Sequence, residues 1–183
     1  AEKGGEKMIR YGIILFTICF CASLVLSLTY KFTHSQIEAQ LVSEENEALD
    51  DVFPEANKFE QETLDTTNYY LAKKDNKALG YIVKVQTKGY SGLINMLVGF
   101  DFNGVIKGIK ILSHTETPGL GAKIAEVRQG ENKPWFLKQF EGKNVQSLEL
   151  GKDVQAITAA TISSKAVLEG VEKSVSEFLE QIR

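Results

Sequence analysis

Ile94-Asn95-Met96-Leu97-Val98-Gly99-Phe100-Asp101-Phe102-Asn103-Gly104-Val105-Ile106-Lys107-Gly108-Ile109-Lys110-Ile111-Leu112 decides how this chain folds. Two runs rich in β-branched and apolar residues, Ile94 to Asp101 and Val105 to Leu112, flank Asp101-Phe102-Asn103-Gly104. Asn and Gly tolerate positive φ, so the arrangement predicts a β-hairpin. Upstream, Tyr69 to Leu71 and Leu79 to Thr87 read as further strands, with Lys88-Gly89-Tyr90-Ser91-Gly92 as a looser, Gly-flanked connection. Downstream, Ala122 to Arg128 reads as a short helix, Trp135-Phe136-Leu137 with Phe140 as a packed segment, and Ser147 to Leu150 as a last strand. From Lys165 to the end, Ala166, Val167, Leu168, Val171, Val175, Phe178, Leu179 and Ile182 recur on one helical face. Strands first and helices later predict an α+β domain with an antiparallel sheet and flanking helices.

The N-terminal part has a different character. The 19 residues from Gly12 to Tyr30 carry no charge and span about 28 Å at 1.5 Å per residue, enough to cross a bilayer. No small-x-small cleavage site stands near Ser27 to Lys31, so the span reads as a single retained transmembrane helix and not as a cleaved signal peptide. Lys3, Lys7 and Arg10 precede it and only Lys31 follows closely, which keeps the N-terminus cytoplasmic and sends the C-terminal domain across the membrane. Ser35 to Leu49 continues in an acidic helical pattern that ends near Val52-Phe53-Pro54, a stalk. The expected organisation is therefore an N-terminal cytoplasmic segment over 1–10, a transmembrane helix over 11–31, a stalk helix over 32–54 and a folded domain over 55–183. The 183 residues carry a formal net charge of −3 with dispersed Lys and Arg, which speaks against a nucleic-acid partner. Cys19 and Cys21 lie inside the apolar span on different sides of a helix and read as small hydrophobes.

Two segments carry chemistry. In Ala156-Ile157-Thr158-Ala159-Ala160-Thr161-Ile162-Ser163-Ser164, small alanines sit between threonines just where the last helix begins. Free N–H groups and the macrodipole favour an anion such as phosphate at a helix start. Thr158, Thr161 and Ser164 are also ordinary N-cap residue types, so plain capping is the competing reading. Upstream, His114-Thr115-Glu116-Thr117-Pro118-Gly119-Leu120-Gly121 holds a Pro-Gly turn in which proline presets φ and glycine takes the positive φ that follows. By itself that dipeptide is a structural turn. Lys143 in Glu141-Gly142-Lys143-Asn144 reads as a solvated lysine in a Gly turn, and Trp135 as core. With His114 and His34 the only histidines, neither a histidine-based metal site nor a Ser-His-Asp arrangement is expected, and no catalytic residue is assigned.

In their order along the chain, these two segments resemble the flavin-binding domain shared by the G subunit of the Rnf electron-transport complex and the C subunit of the sodium-pumping NADH:quinone reductase. The family motif, Asp-x-x-Ser/Thr-Gly/Ala-Ala-Thr-x-Ser/Thr, falls on residues 155–163, with Gln155 in place of its aspartate and Asp153 two residues away. The resemblance covers roughly residues 75–183, and the chain length sides with the Rnf G subunit. It implies FMN held covalently through a phosphoester on Thr161, installed by a separate flavin transferase, with Thr158, Ala159 and Ala160 around the attachment point. It further implies that Glu116, Thr117, Leu120 and Gly121 border the isoalloxazine and its polar edge, that Lys143 contacts phosphate or flavin, and that Tyr90 stacks on the ring. The implied function is a membrane-anchored electron carrier, an electron-transfer subunit of a translocase more than a stand-alone enzyme. It would relay electrons among the other membrane subunits of an Rnf-type ferredoxin:NAD oxidoreductase coupled to ion translocation, embedded in lipid of the inner membrane. The alternatives are a membrane-tethered assembly module without flavin, and an FMN-domain accessory protein of another respiratory system.

Overall fold

The computed structural model describes the backbone of residues 2–64 and 67–182, and the side chains of residues 10–31, 33, 45–64 and 67–182. The chain divides into two compact units, residues 1–44 and 45–183. Helix α1, Glu2–Val52, runs through the first and ends in the second. Within it, Arg10–Lys31 is long and apolar enough to cross a membrane, with a mean hydropathy of 2.3 and none of its side chains buried. The stalk pattern from Ser35 to Glu44 lies outside the described side chains.

The second unit is built on a five-stranded antiparallel meander: β1 (Lys58–Leu64), β2 (Thr67–Lys74), β3 (Lys77–Lys88), β4 (Leu93–Asp101) and β5 (Ile106–His114), in spatial order 1-2-3-4-5. Four of these strands occupy the runs read from the sequence. The unread one, β1, is Lys-Phe-Glu-Gln-Glu-Thr-Leu, an edge strand whose charges discourage pairing with another chain and hide its periodicity. The Asp101 hairpin closes through a three-residue loop. Gly104 alone takes the positive φ, 79°, while Asp101 Oδ1 accepts from the amides of Asn103 at 2.9 Å and Val105 at 3.0 Å. The β2–β3 turn places Asp75 and Asn76 both at positive φ, the pattern of a type I′ hairpin.

Both faces of the sheet are covered. On one, Val83, Val85, Ile94, Met96, Val98 and Phe100 project with period two against the last helix, α3 (Thr161–Ile182), which contributes Val167, Val171, Val175 and Phe178. Gly170 lets α3 approach closely, since a Cβ there would lie 2.9 Å from the Thr87 side chain and 3.1 Å from Met96. Phe178 stands edge-on to Tyr69, Tyr81 and Phe100 at centroid separations of 5.0 to 5.8 Å. On the opposite face, the end of α1 supplies Ala48, Leu49, Val52 and Phe53 against Ala72, Ile82 and Leu97. Gly99 and Gly108 make room for it, as a Cβ on either would come within 2.6 Å of Val52. Glu45 adds a polar tie to Tyr70 and to Lys84, the latter at 2.6 Å.

Two expected elements differ. Ala122 to Arg128 is not an α-helix: only Gly121–Ile124 winds, as a 3₁₀ turn with no side-chain cap, and the chain then turns so that the Arg128 guanidinium stacks 4.2 Å over Trp135. Ser147 to Leu150 is not a strand. Val145–Ser147 is a 3₁₀ turn, and the Glu149 carbonyl gathers the amides of Lys152, Asp153 and Val154, leaving a single bridge between Leu150 and Val154. The Trp135–Lys138 turn, α2, buries Phe136 and Leu137 as expected of a packed segment, with Phe140 beside them and Trp135 packed partly buried against the same core.

Two outcomes follow from this packing. Gly108→Ala forces a Cβ to within 2.6 Å of the Val52 carbonyl oxygen and should cost about 1–3 kcal/mol, measured by urea denaturation followed by Trp135 fluorescence; an unchanged midpoint would mean that the end of α1 does not lie on the sheet. Burial raises the Glu45 carboxyl, but hydrogen bonds from Lys84 and Tyr70 outweigh it and hold the group below its ordinary value of 4.5. Its contribution is therefore present above that value and lost as pH falls through the lowered one, so Glu45→Gln should flatten the acid end of the stability profile.

Candidate functional site

One cavity collects most of the residues singled out in the sequence. It encloses about 380 Å³, within the ~300–1,000 Å³ range of small-molecule sites, and is lined by Tyr90, Glu116, Thr117, Leu120, Gly121, Ala159, Ala160, Thr161, Ile162 and Ser163. Three segments form its walls: the β3–β4 connection, the loop after β5, and the start of α3.

The loop after β5 folds as its residues dictate. Leu120 N–H donates to the Thr117 carbonyl at 3.2 Å, with Pro118 and Gly119 at the turn centre and φ 77° at Gly119, a type II turn. The β3–β4 connection is closed by Gly89 N–H to the Gly92 carbonyl at 2.8 Å, and Ser91 Oγ stands 3.0 Å from Thr117 Oγ1. Glu116 joins all three walls. It is buried, accepts from the Ser91 amide at 3.0 Å through Oε1, and accepts from the Ser163 hydroxyl through Oε2. A Cβ on Gly89 or on Gly121 would lie 2.3 Å from one of these oxygens, so both glycines are bare to admit the carboxylate.

The start of α3 is built without a side-chain cap. Ala160 N–H donates to the Ile157 carbonyl at 2.9 Å, and Ala159 sits at φ 63°, the left-handed region, at the motif position that also admits glycine. Ser164, fully buried, staples this turn to the helix: its hydroxyl accepts from Ile157 N–H at 3.0 Å and donates to the Ala160 carbonyl at 2.9 Å. Among the described residues nothing accepts from the amides of Thr161, Ile162 and Ser163. Three such N–H groups at the positive end of a 22-residue helix, lining a cavity beside an exposed threonine hydroxyl, fit a phosphate monoester. Tyr90, Leu120 and Ile162 present large, 44 to 70% exposed side chains to the same cavity, which fits the flat apolar body of a flavin.

Two of the expected site residues lie elsewhere. Thr158 faces a separate polar cavity with Lys123, Arg128, Trp135 and Gln155, and its side chain caps nothing. Lys143 donates to the Asp153 carbonyl, which spends its ammonium on the backbone upstream of the motif. Gln155 is held by the Gln139 side chain, which accepts from its amide at 2.8 Å. Reading the sequence named Ser164 as one of three capping residue types and gave Ser163 no role, although two serines at buried positions of an otherwise apolar helix face are the available signal.

Comparison with known proteins agrees with this geometry. The FMN-binding domain family model matches residues 89–176, which begin at the Gly89 loop and include every wall of the cavity. The G subunit of the proton-translocating ferredoxin:NAD(+) oxidoreductase complex of Clostridium ljungdahlii is 33% identical over 87% of this chain and 85% of its own length. The corresponding subunit of the Na(+)-translocating complex of Acetobacterium woodii is 32% identical over 94% of this chain and 92% of its own. The chain belongs to the G-subunit family of ion-translocating oxidoreductase complexes. Its fold extends beyond that family: the crystal structure of the C subunit of Na(+)-translocating NADH-quinone reductase from Parabacteroides distasonis matches with a TM-score of 0.52 at 26% identity, over 63% of this chain and 62%, under two thirds, of that one.

For this member of the G-subunit family the loop staple has a measurable weight. Ser164→Ala leaves the buried Ile157 amide unpaired and should destabilise the domain by about 1–3 kcal/mol, whereas Thr158→Ala should change the urea midpoint little. Equal losses from the two would contradict the assignment of the staple to Ser164.

Proposed function

We propose that this chain is a membrane-anchored electron-carrier subunit with FMN attached through a phosphoester to the Thr161 hydroxyl. The observation that carries the reading is the position of Thr161: first residue of α3, lining the cavity, with three unpartnered amides beside it. In that reading the amides of residues 161–163 take the phosphate, Tyr90, Leu120 and Ile162 flank the ring, and Thr117 and Gly121 border its polar edge. FMN supplies the electron-transfer chemistry; the protein positions it and excludes water from one side.

Attachment needs a separate flavin transferase, because a threonine hydroxyl is a poor nucleophile unaided. Glu116, the one carboxylate lining the cavity among the described residues, is already turned to Ser91 and Ser163. The apolar helix Arg10–Lys31 holds the domain at the inner membrane. The basic residues ahead of it place the N-terminus in the cytoplasm and the flavin domain outside it. The partners are the other membrane subunits of a ferredoxin:NAD oxidoreductase complex, the assembly after which the G-subunit relatives are named. Gln155, where the motif carries aspartate, favours a second reading in which the transferase passes this chain by and it serves as an assembly module without flavin.

Denaturing electrophoresis of membranes from the native host separates the two. The wild-type band should fluoresce as flavin, and Thr161→Ala should be present in equal amount and dark; a fluorescent Thr161→Ala band would refute attachment at this hydroxyl. A reporter fused after Arg183 should be active only outside the cytoplasm, and activity inside would reverse the topology.

A further inference from the structure

Glu116 is 5% exposed, lines the cavity and sits among the described residues without a cationic partner. Its two oxygens are satisfied by neutral donors, the Ser91 amide and the Ser163 hydroxyl. His114 meets the Glu116 backbone and not its carboxylate, as its ring nitrogen Nδ1 accepts from the Glu116 amide at 3.3 Å. Gly89 and Gly121 lack the side chain that would displace it. A carboxylate kept in a low-dielectric site is costly unless fully hydrogen-bonded. A neutral glutamine of the same shape would tie the Ser91 loop to α3 as well, with its carbonyl accepting from Ser91 and its amide donating to Ser163 Oγ. The strut therefore accounts for the geometry of this side chain and leaves its charge unexplained.

We propose that Glu116 is a positioning residue that also sets the potential of the site: it holds the Ser91 loop and the first turn of α3 as facing walls, and its fixed negative charge lowers the reduction potential of the flavin seated between them. This rests on the proposed function. Reduction of an isoalloxazine by two electrons and one proton leaves one negative charge on the ring, and a carboxylate lining the same cavity opposes that charge. At an effective dielectric constant of about 20, removing it should favour the reduced form by about tenfold or more.

The test uses the full chain carrying its flavin, purified with the native complex, in wild-type, E116Q and E116A forms. Midpoint potential is read by spectroelectrochemical titration. Protection of the Ser91 amide is read by hydrogen exchange with mass spectrometry at peptide resolution. E116Q should keep the protection and shift the potential positive, equivalent to at least about a tenfold change in the reduction equilibrium; E116A should lose the protection as well. An E116Q protein with the wild-type potential would overturn the charge assignment, and an E116A protein with full protection would overturn the strut. A wild-type chain without covalent flavin would instead overturn the proposed function, and that is seen before any variant is compared.

Discussion

One buried carboxylate holds together segments that the chain keeps far apart. Glu116 reaches back 25 residues to the Ser91 amide and forward 47 residues to the Ser163 hydroxyl. Each of those partners belongs to a wall of the cavity, and two of the walls are loops. A loop-built cavity keeps its shape only where something fixes the loops to the scaffold. Here the scaffold is β5, which ends at His114, two residues before Glu116, and α3, whose apolar face is locked into the core through Val167, Val171, Val175 and Phe178.

The sheet packs against two different helices, and its small residues show where. Against α3, the alternating side chains of β3 and β4 set the depth at which the helix lies, and Gly170 brings it close enough that its first turn emerges at the cavity. Against the end of α1, Gly99 and Gly108 clear a shallow seat for Val52 and Phe53, reinforced by the Lys110–Asp51 pair at 2.6 Å. Exposed ion pairs of that kind contribute little by themselves, so the seat depends mainly on apolar burial. In this way both faces of β4, with Ile94, Met96, Val98 and Phe100 on one side and Leu97 on the other, are apolar for different reasons.

Much of this was legible in the residues. The β4–β5 hairpin follows from Asp101 and Gly104, the type II turn from Pro118-Gly119, and α3 from its 3.6-residue period, because each is a local preference that the tertiary structure did not need to override. The edge strand β1 was hidden because Phe59 and Leu64 are its only apolar residues and its charges face water. The helix expected after Leu120 shortens to one 3₁₀ turn, and beyond it Arg128 stacks on Trp135, a contact that no local pattern contains. At the cavity, Thr161, Ala159 and Ala160 were marked by composition, and of the three cap types Thr158, Thr161 and Ser164 it is Ser164 that does the holding. The polarity of a side chain was visible in the sequence; the direction in which a left-handed Ala159 turns it was not. The contact Lys143 makes was hidden for the same reason, as its destination is a carbonyl brought near by the Glu149 turn.

The central claim is that Thr161 carries FMN. Fragmentation mass spectrometry of the tryptic peptide spanning residues 153–165, isolated from protein of the native membrane, addresses it at single-residue resolution, since that peptide contains Thr158, Thr161, Ser163 and Ser164 together. The account predicts one FMN phosphoester, localised to Thr161. An unmodified peptide in full yield, or an adduct on Thr158, would contradict it.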